Sequence, residues 1–306
     1  MSEPIRYRSG FMAIVGRPNV GKSTLMNNVL GTKLAIVTPK PQTTRNKITG
    51  IATYDDCQVV FLDTPGIHEA RGSLNRVMVD VAYSSLDGAD AVCFMVDVSQ
   101  EIKRGEASRL NLEILRRVQE TGLPVILAVN KIDNVRKDKL LPLIASYAEA
   151  FPFAAIVPMA AIHGDGVPLF LEETKRLMPE GEKYYKEGEL TDRSRDFIIT
   201  EFVREQVFLM TRQEIPYSVA VSIDLVEERE ANDALLHVVA SIHVERKSQK
   251  GMLIGKHGSL IKEIGSRSRT EMEKYLKSRV YLELHVRIEK EWTRSLRGMK
   301  KVGFEI

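Results

Sequence analysis

The sequence is poor in the features that mark secreted, disulfide-linked and membrane-spanning proteins. Only two of its 306 residues are cysteines, Cys57 and Cys93, each inside an apolar stretch with no Cys or His at ligand spacing. We interpret both as packing residues, because such a pair builds neither a disulfide framework nor a zinc site. The longest apolar runs, Leu123–Val129 and Ala91–Val96, are much shorter than the roughly 18 residues of a membrane span. Residues 1–10 are too polar for a signal peptide, so we expect a cytoplasmic protein.

The chain has only a small excess of positive charge, and this excess is concentrated near its C-terminal end. The formal net charge is +3, yet residues 241–306 contain 16 Lys and Arg against 8 Asp and Glu. A basic excess confined to one segment indicates an acidic partner, with nucleic acid and an anionic membrane surface as the candidates. A solvated lysine-rich face is the alternative.

The first part of the chain has the pattern of a doubly wound α/β domain. Short Val- and Ile-rich runs alternate with segments of helical period from residue 11 to about residue 177. Runs without polar alternation are typical of a parallel sheet that is covered on both faces. The predicted strands are Phe11–Val15, Gln58–Leu62, Ala91–Val96, Val125–Val129 and Ala155–Val157, and the predicted helices are Ser23–Leu30, Leu74–Ser85, Ala107–Glu120 and Lys139–Ala150.

A second, smaller α+β domain is predicted after a polar segment. Residues 181–195 are charged and lack an apolar period, so we interpret them as a linker or a surface loop. The following pattern predicts an α-β-β-α-β order with a Gly-rich turn at Gly251–Gly258. The predicted elements are the helix Phe197–Leu209, the strands Tyr217–Val226 and Leu235–Val244, the helix Ser259–Lys277 and the strand Val280–Ile288.

A phosphate-binding loop follows the first predicted strand. Residues 16–23 read Gly-Arg-Pro-Asn-Val-Gly-Lys-Ser and match G-x-x-x-x-G-K-[ST] between a strand and a helix. In such a loop backbone N–H groups surround phosphate oxygens, the lysine reaches the β- and γ-phosphates and the serine can ligate Mg²⁺. A glycine-rich turn that binds nothing is the alternative. The predicted nucleotide-binding residues are Gly16, Arg17, Pro18, Asn19, Val20, Gly21, Lys22, Ser23 and Thr24.

Two further motifs each end a predicted strand. Residues 63–66 (Asp-Thr-Pro-Gly) place a carboxylate where it can hold the water shell of Mg²⁺ and a glycine N–H where it can meet the γ-phosphate. In residues 130–133 (Asn-Lys-Ile-Asp), the Asp133 carboxylate can accept two hydrogen bonds that guanine donates and adenine does not, while Lys131 covers the purine. A P-loop kinase is the alternative class for a chain with this phosphate-binding loop, but it has no reason to carry the Asn-Lys-Ile-Asp motif. The predicted contacts to GTP or GDP are Asp63, Thr64, Pro65, Gly66, Asn130, Lys131 and Asp133.

Together these motifs resemble the translation-factor class of P-loop GTPases, and Pro41-Gln-Thr-Thr-Arg45 is similar to the first switch of the Era family. The resemblance implies that one switch threonine closes on Mg²⁺ and the γ-phosphate, with Thr44 favoured and Thr43 as its competitor. The implied metal ligands are Ser23, Thr44 and Asp63, and the implied catalytic residues are Lys22, Thr44 and Asn19.

Two further site features follow from the same resemblance. The usual Ser-Ala of the fifth GTPase element is replaced by Ala160-Ala161, which leaves the Ala161 backbone N–H as the implied contact to guanine O6. In related phosphate loops with Asn at this place, the Asn helps to ligate K⁺, which implies a K⁺ ion at Asn19. The alternative is an asparagine that is present for its turn preference.

The basic segment resembles an RNA-binding module. Residues 252–261 (MLIGKHGSLI) are similar to the I-G-x-x-G core of KH domains, whose turn lets the backbone approach four nucleotides of single-stranded RNA. A KH domain after a GTPase domain is the Era arrangement, which implies a GTPase domain over 1–180, a linker over 181–195 and a type II KH domain over 196–306. Trp292 is interpreted as a cap on the last strand. The expected RNA-binding residues are Arg246, Lys247, Lys250, Gly255, Lys256, His257, Gly258 and Lys262.

The expected function is slow GTP hydrolysis coupled to RNA binding. Ile67, directly after Asp-Thr-Pro-Gly, cannot orient the attacking water as the glutamine of Ras-like proteins does. His68 is interpreted as a switch-loop residue rather than a catalytic base. The resemblance further implies binding at the 3′ end of 16S rRNA, a role in assembly of the small ribosomal subunit and, as for other family members, peripheral contact with the inner membrane. We expect a monomer. The alternative is an RNA-binding protein whose nucleotide domain is regulatory and lacks useful turnover.

Overall fold

The computed structural model describes residues 6–70, 72–104, 107–212, 214–229 and 235–304. Within these ranges the chain forms two compact units. The first unit comprises 1–35, 44–70 and 78–192, and the second comprises 36–43, 71–77 and 193–306. The segment that precedes Thr44 therefore groups with the second unit, whereas Thr44 itself belongs to the first.

The first unit is built around a six-stranded sheet. Its elements in chain order are β1 (Arg8–Gly16), α1 (Lys22–Leu30), β2 (Ile48–Thr53), β3 (Cys57–Asp63), α2 (Ser73–Ser84, shared with the second unit), β4 (Ala91–Asp97), α3 (Val98–Arg104), α4 (Arg109–Glu120), β5 (Val125–Asn130), α5 (Lys137–Ala150), β6 (Ala155–Met159) and α6 (Val167–Leu177). The strand order is β2-β3-β1-β4-β5-β6, and all pairs are parallel except β2 with β3. This arrangement confirms the predicted doubly wound α/β sheet.

Burial explains why the central strands lack polar alternation. Every residue of β3, β4 and β5 is buried, as helices on both faces of a parallel sheet require. On one face, Val92, Phe94 and Val96 of β4 pack in one core cluster with Ile114 and Val118 of α4. Removal of such side chains from water is the main stabilising contribution to this unit.

Strand β2 was not predicted, and its sequence gives the reason. The segment Ile48–Thr53 contains Gly50 and Ala52, which have low strand propensity, so its pattern lacks a clear strand signal. In the fold, a Cβ added at Gly50 would lie 2.8 Å from Met26 Sδ and 2.9 Å from Leu30 Cδ1 of α1. A larger residue at this position would therefore displace the ends of these two α1 side chains. Helices α3 and α6 also were not among the predicted elements.

The predicted linker is hydrogen-bonded to the first unit over much of its length. Gln58 Oε1 accepts the backbone N–H groups of Tyr184 and Tyr185 at 2.8 and 3.0 Å, and Gln58 Nε2 donates to the Tyr185 carbonyl. Farther along, the Ile51 N–H donates to the Leu190 carbonyl. The segment has the character of a surface loop fixed at the β2–β3 edge, while the predicted domain boundaries stay a prediction.

The second unit contains a three-stranded sheet and its helices. Its elements are α7 (Arg195–Met210), β7 (Ala220–Arg229), β8 (Leu235–Val244), α8 (Lys247–Ile254), α9 (Ser259–Leu276), β9 (Arg279–Ile288) and α10 (Leu296–Lys301). Strand β8 lies in the centre, antiparallel to β7 and parallel to β9.

The predicted turn at Gly251–Gly258 was wrong in its first half. Helix α8 runs through Gly251, so the turn is confined to residues 255–258 and lies between two helices rather than between a strand and a helix. A glycine inside a helix costs only about 0.5–1 kcal/mol. Here the helix is supported by buried Leu253 and by Gln249, whose Oε1 accepts the backbone N–H groups of Glu245 and Arg246.

Three residues without a chemical role pack as predicted. Trp292 is fully buried just after β9, and its indole N–H donates to the Ser218 carbonyl at 3.1 Å, which fits a structural cap. Cys57 and Cys93 are buried, and burial raises the pKa of the Cys57 thiol to about 11 and that of Cys93 further, so both stay protonated. Among the described residues, no helix combines the length and apolar character that crossing a bilayer requires.

Candidate functional site

The phosphate-binding loop occupies the turn between β1 and α1, and its glycines are required by space. A Cβ at Gly16 would lie 2.3 Å from the Met95 carbonyl oxygen, and one at Gly21 would lie 2.2 Å from Asn130 Nδ2. Gly21 also has a φ of 110°, which favours glycine. Helix α1 begins directly after it, and the unpaired N–H groups of a first helical turn bind anions.

Lys22 lies inside this loop. Its side chain is buried, and Nζ donates to the carbonyls of Gly16 and Arg17 at 3.3 and 3.1 Å. Burial lowers the pKa of Lys22 to about 8, although the carboxylate of Asp63 opposes that shift. The ammonium group is therefore held at the centre of the loop, where phosphate oxygens can replace the two carbonyls as its partners.

Three side-chain oxygens meet beside the loop and form a site that suits Mg²⁺. Ser23 Oγ donates to Asp63 Oδ2 at 2.6 Å and lies 3.0 Å from Thr44 Oγ1. Asp63 is fully buried, and its Oδ1 has no hydrogen-bond partner in the described structure. Burial raises the pKa of Asp63 to about 6 against the opposing effects of Lys22, Ser23 and Thr44. Hard oxygen donors with one carboxylate fit Mg²⁺.

The same geometry separates the two candidate threonines. Thr44 Oγ1 lies 3.4 Å from Asp63 Oδ2, within the cluster of oxygens. Thr43 Oγ1 instead lies 2.6 Å from Thr38 Oγ1 and donates to the Lys40 carbonyl at 2.8 Å. The structure brings Thr44, and not Thr43, to Ser23 and Asp63.

The base-reading motif is connected to the phosphate loop by two side chains. Asn130, 3% exposed, donates from Nδ2 to the Val20 carbonyl at 2.7 Å and accepts the Ala161 N–H on Oδ1 at 2.9 Å. Lys131 Nζ donates to the Asn19 carbonyl at 2.7 Å. The motif thus holds both the phosphate loop and the fifth element, a role that the sequence did not indicate.

Asp133 is left accessible for a base. It lies in a short 3₁₀ turn, its side chain is 28% exposed, and His163 Nε2 is 3.8 Å from Oδ2. The Ala161 N–H, in contrast, already has Asn130 as its acceptor, so the predicted contact to guanine O6 requires this donor to be shared or released. Ala160 is fixed by a hydrogen bond from its N–H to the Asp165 carbonyl at 3.0 Å, which stiffens the loop despite the missing serine.

Several predicted nucleotide contacts have side chains directed elsewhere. Thr64 is buried and donates to the Ile14 carbonyl at 2.8 Å, and Arg17 Nη1 reaches Ser108 Oγ at 3.5 Å. Val20 is buried, so only its backbone is available, and Thr24 lies in the first turn of α1. A Cβ on Gly66 would lie 2.6 Å from the backbone of Pro18, which explains why this motif can approach the loop.

The turn between α8 and α9 exposes two basic side chains. Gly255 has a φ of 72° and Gly258 a φ of 77°, both in the left-handed region. Between them Lys256 and His257 are exposed, and Lys262 is exposed in the first turn of α9. The remaining predicted RNA contacts lie on or before α8: Arg246 and Lys247 are exposed, and Lys250 is half-buried.

Comparison with known proteins agrees with both parts of this geometry. A family model described as a 50S ribosome-binding GTPase matches residues 11–131, and a KH-domain model matches residues 214–293. GTPase Era of Syntrophus aciditrophicus is 45% identical over 98% of this chain and 96% of its own length. GTPase Era of Geotalea uraniireducens is 47% identical over 98% and 99%, respectively.

The chain belongs to the Era family of GTPases. The likeness extends over the whole chain, because its structure aligns with a variant of Aquifex aeolicus Era bound to GDP·AlF₄⁻ at a TM-score of 0.93, with 37% identity over 98% of this chain and 100% of the other. An Era structure with MgGDPNP and nucleotides 1506–1542 of 16S ribosomal RNA matches with the same TM-score, identity and coverage. Hydrolysis of GTP to GDP is thus the activity of this Era-family chain, and the alternative without turnover is set aside.

Proposed function

We propose that this chain is a Mg²⁺-dependent guanine-nucleotide switch whose slow GTPase cycle is coupled to RNA binding, with the 3′ end of 16S rRNA as its target and small-subunit assembly as its role. The observation that carries the proposal is the presence, in one Era-family chain, of the Ser23–Thr44–Asp63 oxygen cluster and of a glycine turn that exposes Lys256 and His257. The full-length relative with MgGDPNP and 16S rRNA nucleotides supports the choice of cofactor and target.

The residues divide the work of nucleotide binding. Ser23, Thr44 and Asp63 would hold Mg²⁺, which neutralises the charge that develops on the phosphates. Lys22 exchanges its two carbonyl partners for phosphate oxygens. Asp133 accepts the hydrogen bonds that guanine donates, and the stem of Lys131 forms one wall of the base site.

Slow hydrolysis follows from the position after Asp-Thr-Pro-Gly. Ile67 is 2% exposed, belongs to the apolar core and donates its N–H to the Gly16 carbonyl at 3.0 Å. An aliphatic side chain buried in this way cannot orient an attacking water. The rate therefore depends on ordering of Thr44 and on added positive charge, for which K⁺ at Asn19 is the proposed source.

The proposed K⁺ role needs a test that separates it from backbone geometry. Asn19 has a φ of 62°, in the left-handed region that asparagine adopts more readily than most other non-glycine residues. Asn19→Gly keeps that backbone and removes the side chain, whereas Asn19→Ala also adds strain. We expect faster turnover in KCl than in NaCl at equal ionic strength, and loss of the difference in both variants. Equal rates of the unmodified protein in the two salts would contradict the K⁺ role.

Filter binding tests the RNA-binding role and the RNA target together. Lys256→Asp combined with His257→Asp should abolish binding of the 16S 3′-terminal segment while GDP affinity is unchanged, and wild-type binding should weaken steeply with salt. Thr270→Asp combined with Lys274→Asp makes the same change in net charge near the other end of α9 and serves as the control. If the unmodified protein bound a scrambled RNA of the same composition equally well, the 16S target would be contradicted. If the Lys256→Asp, His257→Asp variant bound the 16S segment as well as the unmodified protein, the RNA-binding role of the turn would be contradicted.

Cytoplasmic location, peripheral membrane contact and the monomeric state stay predictions. The family-model description names the 50S subunit, whereas our proposal names the small subunit, because the match to the RNA-bound relative spans 98% of this chain. Sedimentation equilibrium tests the oligomeric state, and flotation with anionic vesicles tests the membrane contact.

A further inference from the structure

Lys131 connects the base-reading motif to a buried carboxylate that none of the motifs contains. Besides its bond to the Asn19 carbonyl, Nζ donates to Asp97 Oδ2 at 2.8 Å. Asp97 is the last residue of β4, and its side chain is 4% exposed, against 32% for that of Lys131. The ammonium group is therefore held between the phosphate loop and the end of a central strand.

The Asp97 carboxylate is itself fixed on both oxygens. Oδ1 accepts the backbone N–H of Ser99 at 3.0 Å and its hydroxyl at 2.5 Å, and Oδ2 accepts Gln100 Nε2 at 3.0 Å in addition to Lys131. Burial would raise the pKa of Asp97, but the hydrogen bonds from Lys131 and Ser99 outweigh burial and hold it below its usual value. The group is thus an ionised, immobile acceptor at neutral pH.

We propose that Asp97 is a positioning residue for guanine nucleotides, which acts by holding Lys131 in the conformation that forms the base site. This inference rests on the base-reading role proposed above. A lysine side chain has many rotamers, and its ordering has an entropic cost that weakens binding unless the free protein has already ordered it. In this structure contacts within the protein alone order Lys131, because its ammonium group donates to Asp97 and to the carbonyl of Asn19.

A purely structural role for Asp97 is the competing explanation. The residue precedes α3 and accepts the N–H of Ser99, as an N-cap does. Asp97→Ser separates the two roles, because serine retains the cap acceptor and loses the charged partner of Lys131. Asp90→Asn is a matched control at the other end of β4, where the carboxylate accepts the Phe11 N–H at 2.8 Å and is remote from the motif.

The test is release of a fluorescent GDP analogue from the full chain, followed by stopped flow with Mg²⁺ present. We expect Asp97→Ser to accelerate release by about tenfold to thirtyfold, the equivalent of the rotamer entropy of one lysine. In a Lys131→Ala background the same substitution should change the rate less than twofold, and Asp90→Asn should leave it unchanged. Circular dichroism checks the fold, and the isosteric Asp97→Asn replaces the serine variant if that variant unfolds.

The remaining outcomes overturn the inference in distinguishable ways. Equal acceleration by Asp97→Ser with and without Lys131 would assign Asp97 a structural role that does not act through the lysine. An unchanged rate in Asp97→Ser, together with fast release in Lys131→Ala, would overturn the positioning role and leave the base-reading role intact. An unchanged rate in Lys131→Ala would overturn the positioning role of Asp97 and the role of Lys131 as a wall of the base site.

Discussion

Asn130 offers the sharpest test of how the nucleotide site is assembled. The substitution Asn130→Ala removes the donor to the Val20 carbonyl and the acceptor of the Ala161 N–H, at a position that is 3% exposed. Each buried group that loses its partner costs about 1–3 kcal/mol. Two such groups amount to about 2 kcal/mol at the least, or roughly a thirtyfold loss of GDP affinity if the loops that Asn130 holds become disordered in the variant and must be ordered again when nucleotide binds.

The assay combines calorimetric GDP affinity with thermal unfolding of the nucleotide-free protein. Asn111→Ala is the matched control, since Asn111 is 1% exposed and its Nδ2 donates to the Tyr147 hydroxyl at 2.9 Å, a bond between two residues outside the nucleotide-binding motifs. We expect both variants to lose stability and only Asn130→Ala to lose GDP affinity. If the affinity of Asn130→Ala stayed within threefold of wild type while both variants lost stability equally, the bridging role would be refuted.

Three further outcomes are expected. Asp133→Asn should shift preference from GDP to XDP in calorimetry, because the amide donates to the extra carbonyl of xanthine; retained GDP preference would contradict the base-reading role. At pH 8 GDP binding should take up protons, because burial lowers the pKa of Lys22 to about 8 and the phosphates of GDP raise it again. Calorimetry in two buffers measures this uptake, which should be absent at pH 6.5, where Lys22 is already protonated. Gly255→Ala should destabilise the second unit by about 1–3 kcal/mol, because a φ of 72° with a ψ of 178° strains any residue other than glycine, whereas Gly251→Ala inside helix α8 should stabilise it slightly. Urea unfolding followed by the fluorescence of buried Trp292 measures both effects, and equal midpoints of the two variants would contradict the backbone strain at Gly255.

Much of the fold could be predicted because its signals are local. A buried strand such as Ala91–Asp97 is a contiguous apolar run, and the strand Leu235–Val244 has its predicted bounds. The elements that escaped prediction depend on packing. Strand β2 contains residues of low strand propensity and is held by its pairing with β3, and α8 contains a glycine whose cost its tertiary contacts outweigh.

The sequence by itself determined the motifs whose geometry lies within consecutive residues. The phosphate loop and the glycine turn at 255–258 each need particular residue types at fixed spacing, because backbone conformation and helix start are set over a few residues. Their order along the chain was enough to indicate a GTPase domain followed by a KH domain.

Only the tertiary structure decided which distant residues complete the site. Val20, Asn130 and Ala161 meet because β1, β4, β5 and β6 lie side by side in the sheet, an order that no local period encodes. The same holds for Lys131, which directly follows β5, and Asp97, which is the last residue of the adjoining strand β4. The sequence shows an acidic residue, Asp97, at the end of an apolar strand, but it does not show that Lys131 is its partner. Side chains far apart in sequence become neighbours only through the order in which strands pair.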